Sequence, residues 1–266
     1  MSDTQQRHPF HLVDPSPWPL FTSGSIFSMM VGSVMYFQGF IGGSAISLIS
    51  FVIVALCAGL WWRDIVREGT FQGHHTVAVQ RGLKLGLIGF ISTEVWFFVA
   101  FFWAYFHASL SPSVELGCSW PPLGIHAFDP FGVPLANTLI LLTSGATITW
   151  AHHAMIGGNH KSTVLGLILT VILAAAFTGL QALEYAEATF NISDGVYGST
   201  FYMATGFHGF HVIVGTIFIF VCLIRQTKYH FTREHHVGFE GAAWYWHFVD
   251  VVWLILFVAI YWWGSL

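Results

Sequence analysis

Charge is what this sequence has least of. Of its 266 residues only 8% are Asp, Glu, Lys or Arg, against about a quarter in a soluble domain. So few charges cannot cover a water-facing surface. Nor does the chain fit the disordered class, which needs low hydrophobicity and high charge, because 55% of its residues are hydrophobic. Nine Lys+Arg against thirteen Asp+Glu give a formal net charge of −4. With no basic patch, no nucleic-acid partner is expected. Cysteine is scarcer still. Cys57 and Cys222 lie in apolar runs and Cys118 in a loop. No pair has metal-ligand spacing, so neither a disulfide framework nor a thiolate cluster is expected. The polar, Pro-rich start lacks a basic segment followed by an apolar one, so no cleaved signal peptide is expected. It also lacks the Arg/Ser-rich pattern of a transit peptide, so an organellar protein of this sequence would be made inside the organelle.

Apolar length is what remains. Mean hydropathy is +0.66, and at roughly 20 apolar residues per crossing the chain has room for seven spanning helices. An all-α integral membrane protein is expected, one membrane domain over 1–266 with a short N-terminal tail, 1–18. The spans are placed at 19–37, 43–66, 78–109, 134–156, 162–188, 196–225 and 238–264. Pro15, Pro17 and Pro19 delay the first helix. Gly42-Gly43 turns the chain between the first two spans. Five prolines, Pro112 to Pro134, fill the loop after the third. Gly157-Gly158-Asn159 breaks the chain after the fourth. The third span, at about 32 residues and about 48 Å, exceeds the hydrocarbon core and must tilt or protrude.

Every basic residue falls on one side of this topology: Arg7 in the tail; Arg63, Arg67, Arg81 and Lys84 around the second loop; Lys161; and Arg225, Lys228 and Arg233. The opposite side carries Glu115, Asp129, Glu184, Glu187 and Asp194. By the positive-inside rule the N-terminus lies on the matrix or cytoplasmic side.

Glu94 is mid-span, in Ile91-Ser92-Thr93-Glu94-Val95-Trp96. An acid there is costly and points to function, and desolvation favours the neutral form of an acid. Phe97, Phe98, Phe101 and Tyr105 share its helical face, with few strong donors. Glu94 is either a proton-linked or lipid-gating acid, or a protonated acid hydrogen-bonded to a neighbouring span. Fifteen histidines invite a metal reading, but no HxxxH or HxxHH box occurs. His208 and His211 share a face with no acid near them in sequence. Hydrogen bonding at interfaces or between helices is the expected role of the histidine pairs, and no metal site is expected. Asp250 follows His247 by one turn or less, consistent with a local hydrogen bond. Trp61-Trp62-Arg63-Asp64 to Arg67-Glu68 closes the second span at the basic side. Arg63-Asp64-Arg67-Glu68 can pair internally, or the arginines can hold an anionic lipid phosphate. Arg225 lies at the same side.

Many stretches in order resemble the cytochrome c oxidase subunit III family, of the mitochondrial type. They are His8-Pro9-Phe10-His11 with Pro15-Ser16-Pro17-Trp18-Pro19, Trp61-Trp62-Arg63-Asp64, Phe71-Gln72-Gly73-His74-His75, Ser92-Thr93-Glu94-Val95, Trp103-Ala104-Tyr105-Phe106-His107, Trp120-Pro121-Pro122, Trp150-Ala151-His152-His153, Ser193-Asp194-Gly195-Val196-Tyr197-Gly198, Phe207-His208-Gly209-Phe210-His211, His235-His236-Val237-Gly238 and Trp244-Tyr245-Trp246-His247-Phe248-Val249-Asp250. The resemblance covers essentially the whole chain. It implies two groups of helices, spans one and two and spans three to seven, with a lipid-filled cleft. It also implies a non-redox subunit of a complex that oxidises cytochrome c, reduces oxygen and pumps protons. Haem and copper would belong to partner subunits I and II, and this chain would carry no cofactor except bound phospholipid. Its roles would be to brace the complex, support proton uptake and aid oxygen access. By motif position Trp62, Arg67, Glu68, His75 and Arg225 would contact headgroups, with Arg63 beside them, and Glu94 would be the buried acid near the cleft. Partners would be subunits I and II, smaller oxidase subunits, and anionic or zwitterionic phospholipids, cardiolipin among them. The location would be the mitochondrial inner membrane, or a bacterial plasma membrane. The rival classes are an autonomous transporter and a His-metal enzyme.

Overall fold

The computed structural model describes residues 8–265, apart from the side chain of Glu115, so Arg7 and that side chain lie outside the described residues. Among the described residues seven helices are long and apolar enough to cross a membrane: α1 (Trp18–Phe37), α2 (Gly43–Thr70), α3 (Val77–Leu110), α4 (Val133–Ile156), α5 (His160–Glu187), α6 (Gly195–Thr227) and α7 (Val237–Leu256). No strand occurs among the described residues. The chain is therefore an all-α, multi-pass membrane protein, as expected.

The helix ends have local causes. α1 starts with proline in its first turn, where a missing N–H costs nothing. Gly42, at φ 88°, turns the chain into α2. α2 runs four residues beyond the expected end at 66, because nothing breaks it before Gly73, at φ 69°. The Arg67 carbonyl then accepts from the Phe71 and Gln72 amides at 3.0 and 3.1 Å, closing the helix. The Asn159 side chain accepts from the Ser162 amide at 3.1 Å and starts α5 as an N-cap. α7 does not continue regularly to 264. Beyond Leu256 it widens into a π-turn, Phe257–Trp262, and ends in a 3-10 turn, Trp263–Ser265.

Contacts divide the chain into two compact units, Met1–Gly82 and Leu83–Leu266, so the division falls within α3. In the first unit α1 packs on α2. They approach at Gly32, where a Cβ would lie 2.6 Å from the Ser47 amide nitrogen. Beside it the Ser33 and Ser47 hydroxyls share a hydrogen bond of 3.0 Å. Small residues and hydroxyl pairs join helices where lipid gives no hydrophobic drive.

In the second unit α4, α5, α6 and α7 form the buried core around Trp246, Trp253, Phe177 and Tyr197. Polar side chains tie the helices together inside it. The Trp246 and Trp253 indoles donate to Ser144 and Thr138 on α4, each at 2.9 Å. Thr147 and Thr170 join α4 to α5 at 2.8 Å. Glu184, counted from sequence among the acids at loops or helix ends, lies at a helix end and is also a buried link. It lies in the last turn of α5, and its carboxyl accepts from the Tyr261 hydroxyl at 2.6 Å.

Candidate functional site

Two clusters gather the residues singled out from sequence. The first lies in the unit 83–266, around Glu94. α3 carries Glu94 towards α6, where Glu94 Oε2 and His211 Nε2 are 2.8 Å apart. The other ring nitrogen, His211 Nδ1, lies 2.6 Å from the Phe207 carbonyl one turn back. A carbonyl only accepts, so Nδ1 carries a proton and the tautomer is fixed by its partner. Nε2 then either accepts from a Glu94 O–H or, as imidazolium, donates to the carboxylate. In both forms one proton lies between the two atoms. Aromatic rings wall it in. Phe98 is 5.1 Å from the His211 ring, and Phe97 is edge-on to Phe207 at 4.9 Å. The His211 side chain is 7% exposed and that of Glu94 is 21% exposed.

Glu94 is thus hydrogen-bonded to a neighbouring span, which fits either role left open by the sequence. The bond also corrects the expectation that His211 has no acid at hand. The acid comes from another helix, 117 residues away in sequence, so no local spacing could show it. His208 is buried and bonded to the Val249 carbonyl at 3.2 Å. His247 makes the expected local contact, Nδ1 to Asp250 Oδ2 at 3.4 Å, with Nε2 3.0 Å from the Thr149 hydroxyl. Glu240 lies in the first turn of α7 and pairs with Lys84 at 2.6 Å.

The second cluster lies in the unit 1–82, at the C-terminal end of α2. The exposed Trp62 leads into it. Arg63 donates twice to Asp64 Oδ1, at 3.0 and 3.1 Å, and Arg67 lies 3.9 Å from the same oxygen. The other oxygen, Asp64 Oδ2, accepts from the Trp18 indole at 2.6 Å. The internal pairing expected from sequence is therefore present, and it uses one carboxylate for two arginines. Arg67 is 58% exposed and sits in the last turn of α2, where the helix dipole favours a cation. Glu68 and His75 are half-buried beside it. His11, from the tail, joins them with Nε2 3.8 Å from Glu68 Oε2. Sequence reasoning missed His11, because a tail histidine carries no helical register.

Arg225 lies in the other unit, in the last turn of α6. Its guanidinium sits 4.2 Å from the Phe231 ring centroid, a cation–π contact. Beyond it, outside the membrane-spanning helices, His230 is held below the usual histidine pKa by burial, then by the positive charges of Arg225 and Lys228.

A family model described as Cytochrome c oxidase subunit III matches residues 8–265. Among curated proteins, the chain is 59% identical over 260 residues to Cytochrome c oxidase subunit 3 of Prototheca wickerhamii, covering 98% of this chain and 99% of the relative. It is 60% identical over 260 residues to the protein of the same name from Marchantia polymorpha, covering 98% of both. The Arabidopsis thaliana protein of that name is 58% identical over 261 residues, again 98% of both. The match runs through both clusters and all seven helices, and the chain belongs to the cytochrome c oxidase subunit III family.

Proposed function

We propose that this chain is a non-redox core subunit of cytochrome c oxidase. It braces the complex, holds structural phospholipids by their headgroups, supports proton uptake and aids oxygen access. Electron transfer from cytochrome c to oxygen, and the proton pumping coupled to it, belong to subunits I and II with their haem and copper. Smaller oxidase subunits complete the assembly. The location is the mitochondrial inner membrane, with the N-terminus on the matrix side; the one-sided distribution of Lys and Arg supports that orientation.

The observation that supports the lipid role is the exposure of Arg67 at the end of α2. Asp64 is shared by Arg63, Arg67 and Trp18, and Arg67, 3.9 Å from it and 58% exposed, is open to a phosphate. Guanidinium and phosphate match in geometry as well as charge. Trp62 is placed beside it as an interfacial aromatic. Arg225 is the corresponding cation at the end of α6. Apolar side chains exposed along the helices, such as Leu48, Ile49 and Trp96, suit acyl chains. Oxygen partitions into such hydrocarbon, and the phenylalanines around Glu94 extend it. The Glu94–His211 hydrogen bond lets a proton shift between carboxyl and ring along a single contact.

Counting phospholipid per haem in the purified complex tests this. The Arg67→Ala and Arg225→Ala complexes should each retain less phospholipid through detergent washing and lose activity sooner under turnover. Equal retention by wild type and both variants would contradict the headgroup role.

A further inference from the structure

Among the described residues, the side chains of His11, Glu68 and His75 bring one donor atom each to within 4.8 Å of one another. Four separate contacts hold them there. The Thr76 hydroxyl donates to the Pro9 carbonyl at 2.7 Å, fixing the tail two residues before His11. The Trp18 indole fixes the tail again through Asp64, at 2.6 Å. The His75 ring lies over Gly69, where a Cβ would come within 2.6 Å of Nδ1 and push the ring from this position. The Gln80 side chain donates to the His75 carbonyl at 3.0 Å and steadies the turn.

We propose that His11, Glu68 and His75 form a binding site for a divalent cation of the zinc class. Two imidazoles and one carboxylate are a zinc donor set, whereas magnesium and calcium prefer oxygen alone. Tetrahedral zinc with bonds of about 2.0–2.1 Å needs donor atoms about 3.4 Å apart. His11 Nε2 and Glu68 Oε2 stand at 3.8 Å, too long for a hydrogen bond, so they are not spent on each other. Small side-chain rotations would close the set. The His11 ring also lies 5.3 Å from His74 and 5.5 Å from His75. The fourth position faces away from the three donors and is left to water or an anionic oxygen. Such a site is structural: it pins the tail to the end of α2 and the turn before α3.

The site shares Glu68 and His75 with the proposed headgroup contacts, but His11 belongs to the metal reading alone. The test therefore turns on His11, using the whole oxidase complex stripped with a mild chelator and titrated with Zn²⁺. Wild type should bind one more equivalent of zinc than the His11→Asn complex. Its X-ray absorption at the zinc edge should show nitrogen and oxygen neighbours at about 2.0–2.1 Å. In His11→Asn and in Glu68→Gln, affinity at that site should fall by more than about 100-fold, beyond the cost of losing a supporting hydrogen bond. Phospholipid per haem should not change in His11→Asn. Equal zinc uptake by wild type and both variants overturns the site, whatever the lipid content, which reports on the headgroup reading alone.

Discussion

Glu94 of α3 and His211 of α6 meet at 2.8 Å, and the ring's other nitrogen is already committed to the Phe207 carbonyl at 2.6 Å. The bond is thus a directed one with a fixed tautomer. Glu94→Gln can still donate from its amide to Nε2, so it should keep the link and most of the stability. Glu94→Ala leaves Nε2 buried without a partner, which costs about 1–3 kcal/mol. Thermal inactivation of the purified complex should therefore rank wild type and Gln together, above Ala. If Gln and Ala were equally damaging, the link would not be what matters at this position.

Gly32 sets the distance between α1 and α2. Gly32→Ala would put a Cβ 2.6 Å from the Ser47 backbone nitrogen. Backbone cannot rotate away as a side chain can, so the helices must part, at a cost of about 1–3 kcal/mol. Gly24→Ala on the same helix meets nothing within 4 Å and should be neutral or slightly stabilising. Protease resistance of the segment 8–82 in detergent compares the two. Equal behaviour would refute the close approach.

The Trp253–Thr138 hydrogen bond, at 2.9 Å, should be worth about 0.6 kcal/mol, the ordinary value for such links inside membranes. Trp253→Phe adds a loss of packing to that. A double-mutant cycle with Thr138→Val isolates the bond, and unfolding in mixed detergent reads it. A coupling energy indistinguishable from zero would mean that the contact only fills space.

The turn after α6 should weaken in acid. His230 is pushed below its ordinary pKa of 6.5 by burial and by the Arg225 and Lys228 charges. A base whose folded pKa is lowered takes up its proton more readily when the segment opens. Stability is therefore full above about pH 6.5 and falls as pH drops towards the folded value. Proteolysis at Lys228 and Arg233 should quicken over that window in wild type and not in His230→Asn. The same pH dependence in the variant would place the effect elsewhere.

Much of the fold could be read from sequence because the membrane imposes it. Runs of about 20 apolar residues must be helical to satisfy their backbone, and Gly42, Pro134 and Asn159 punctuate them where expected. The end of α2 was read too early, since loss of apolarity at Arg67 and Glu68 does not end a helix. The π-turn after Leu256 has no compositional mark. Within the candidate site, the pairing at Asp64 and the His247–Asp250 contact follow from helical spacing. The Glu94–His211 bond and the approach of His11 to Glu68 do not, because each joins segments far apart in the chain. Glu184 lies at a helix end as its sequence position implies, but its burial and its bond to Tyr261 are not legible there, because that partner lies 77 residues away.

The central claim, that this chain works as a non-redox structural partner of a redox machine, meets its most direct test in gentle solubilisation of the native membrane. The chain should migrate with a haem-containing fraction that oxidises cytochrome c, in fixed ratio to the haem and with phospholipid bound. Recovery of the chain apart from all oxidase activity, in a stable form of its own, would contradict the account.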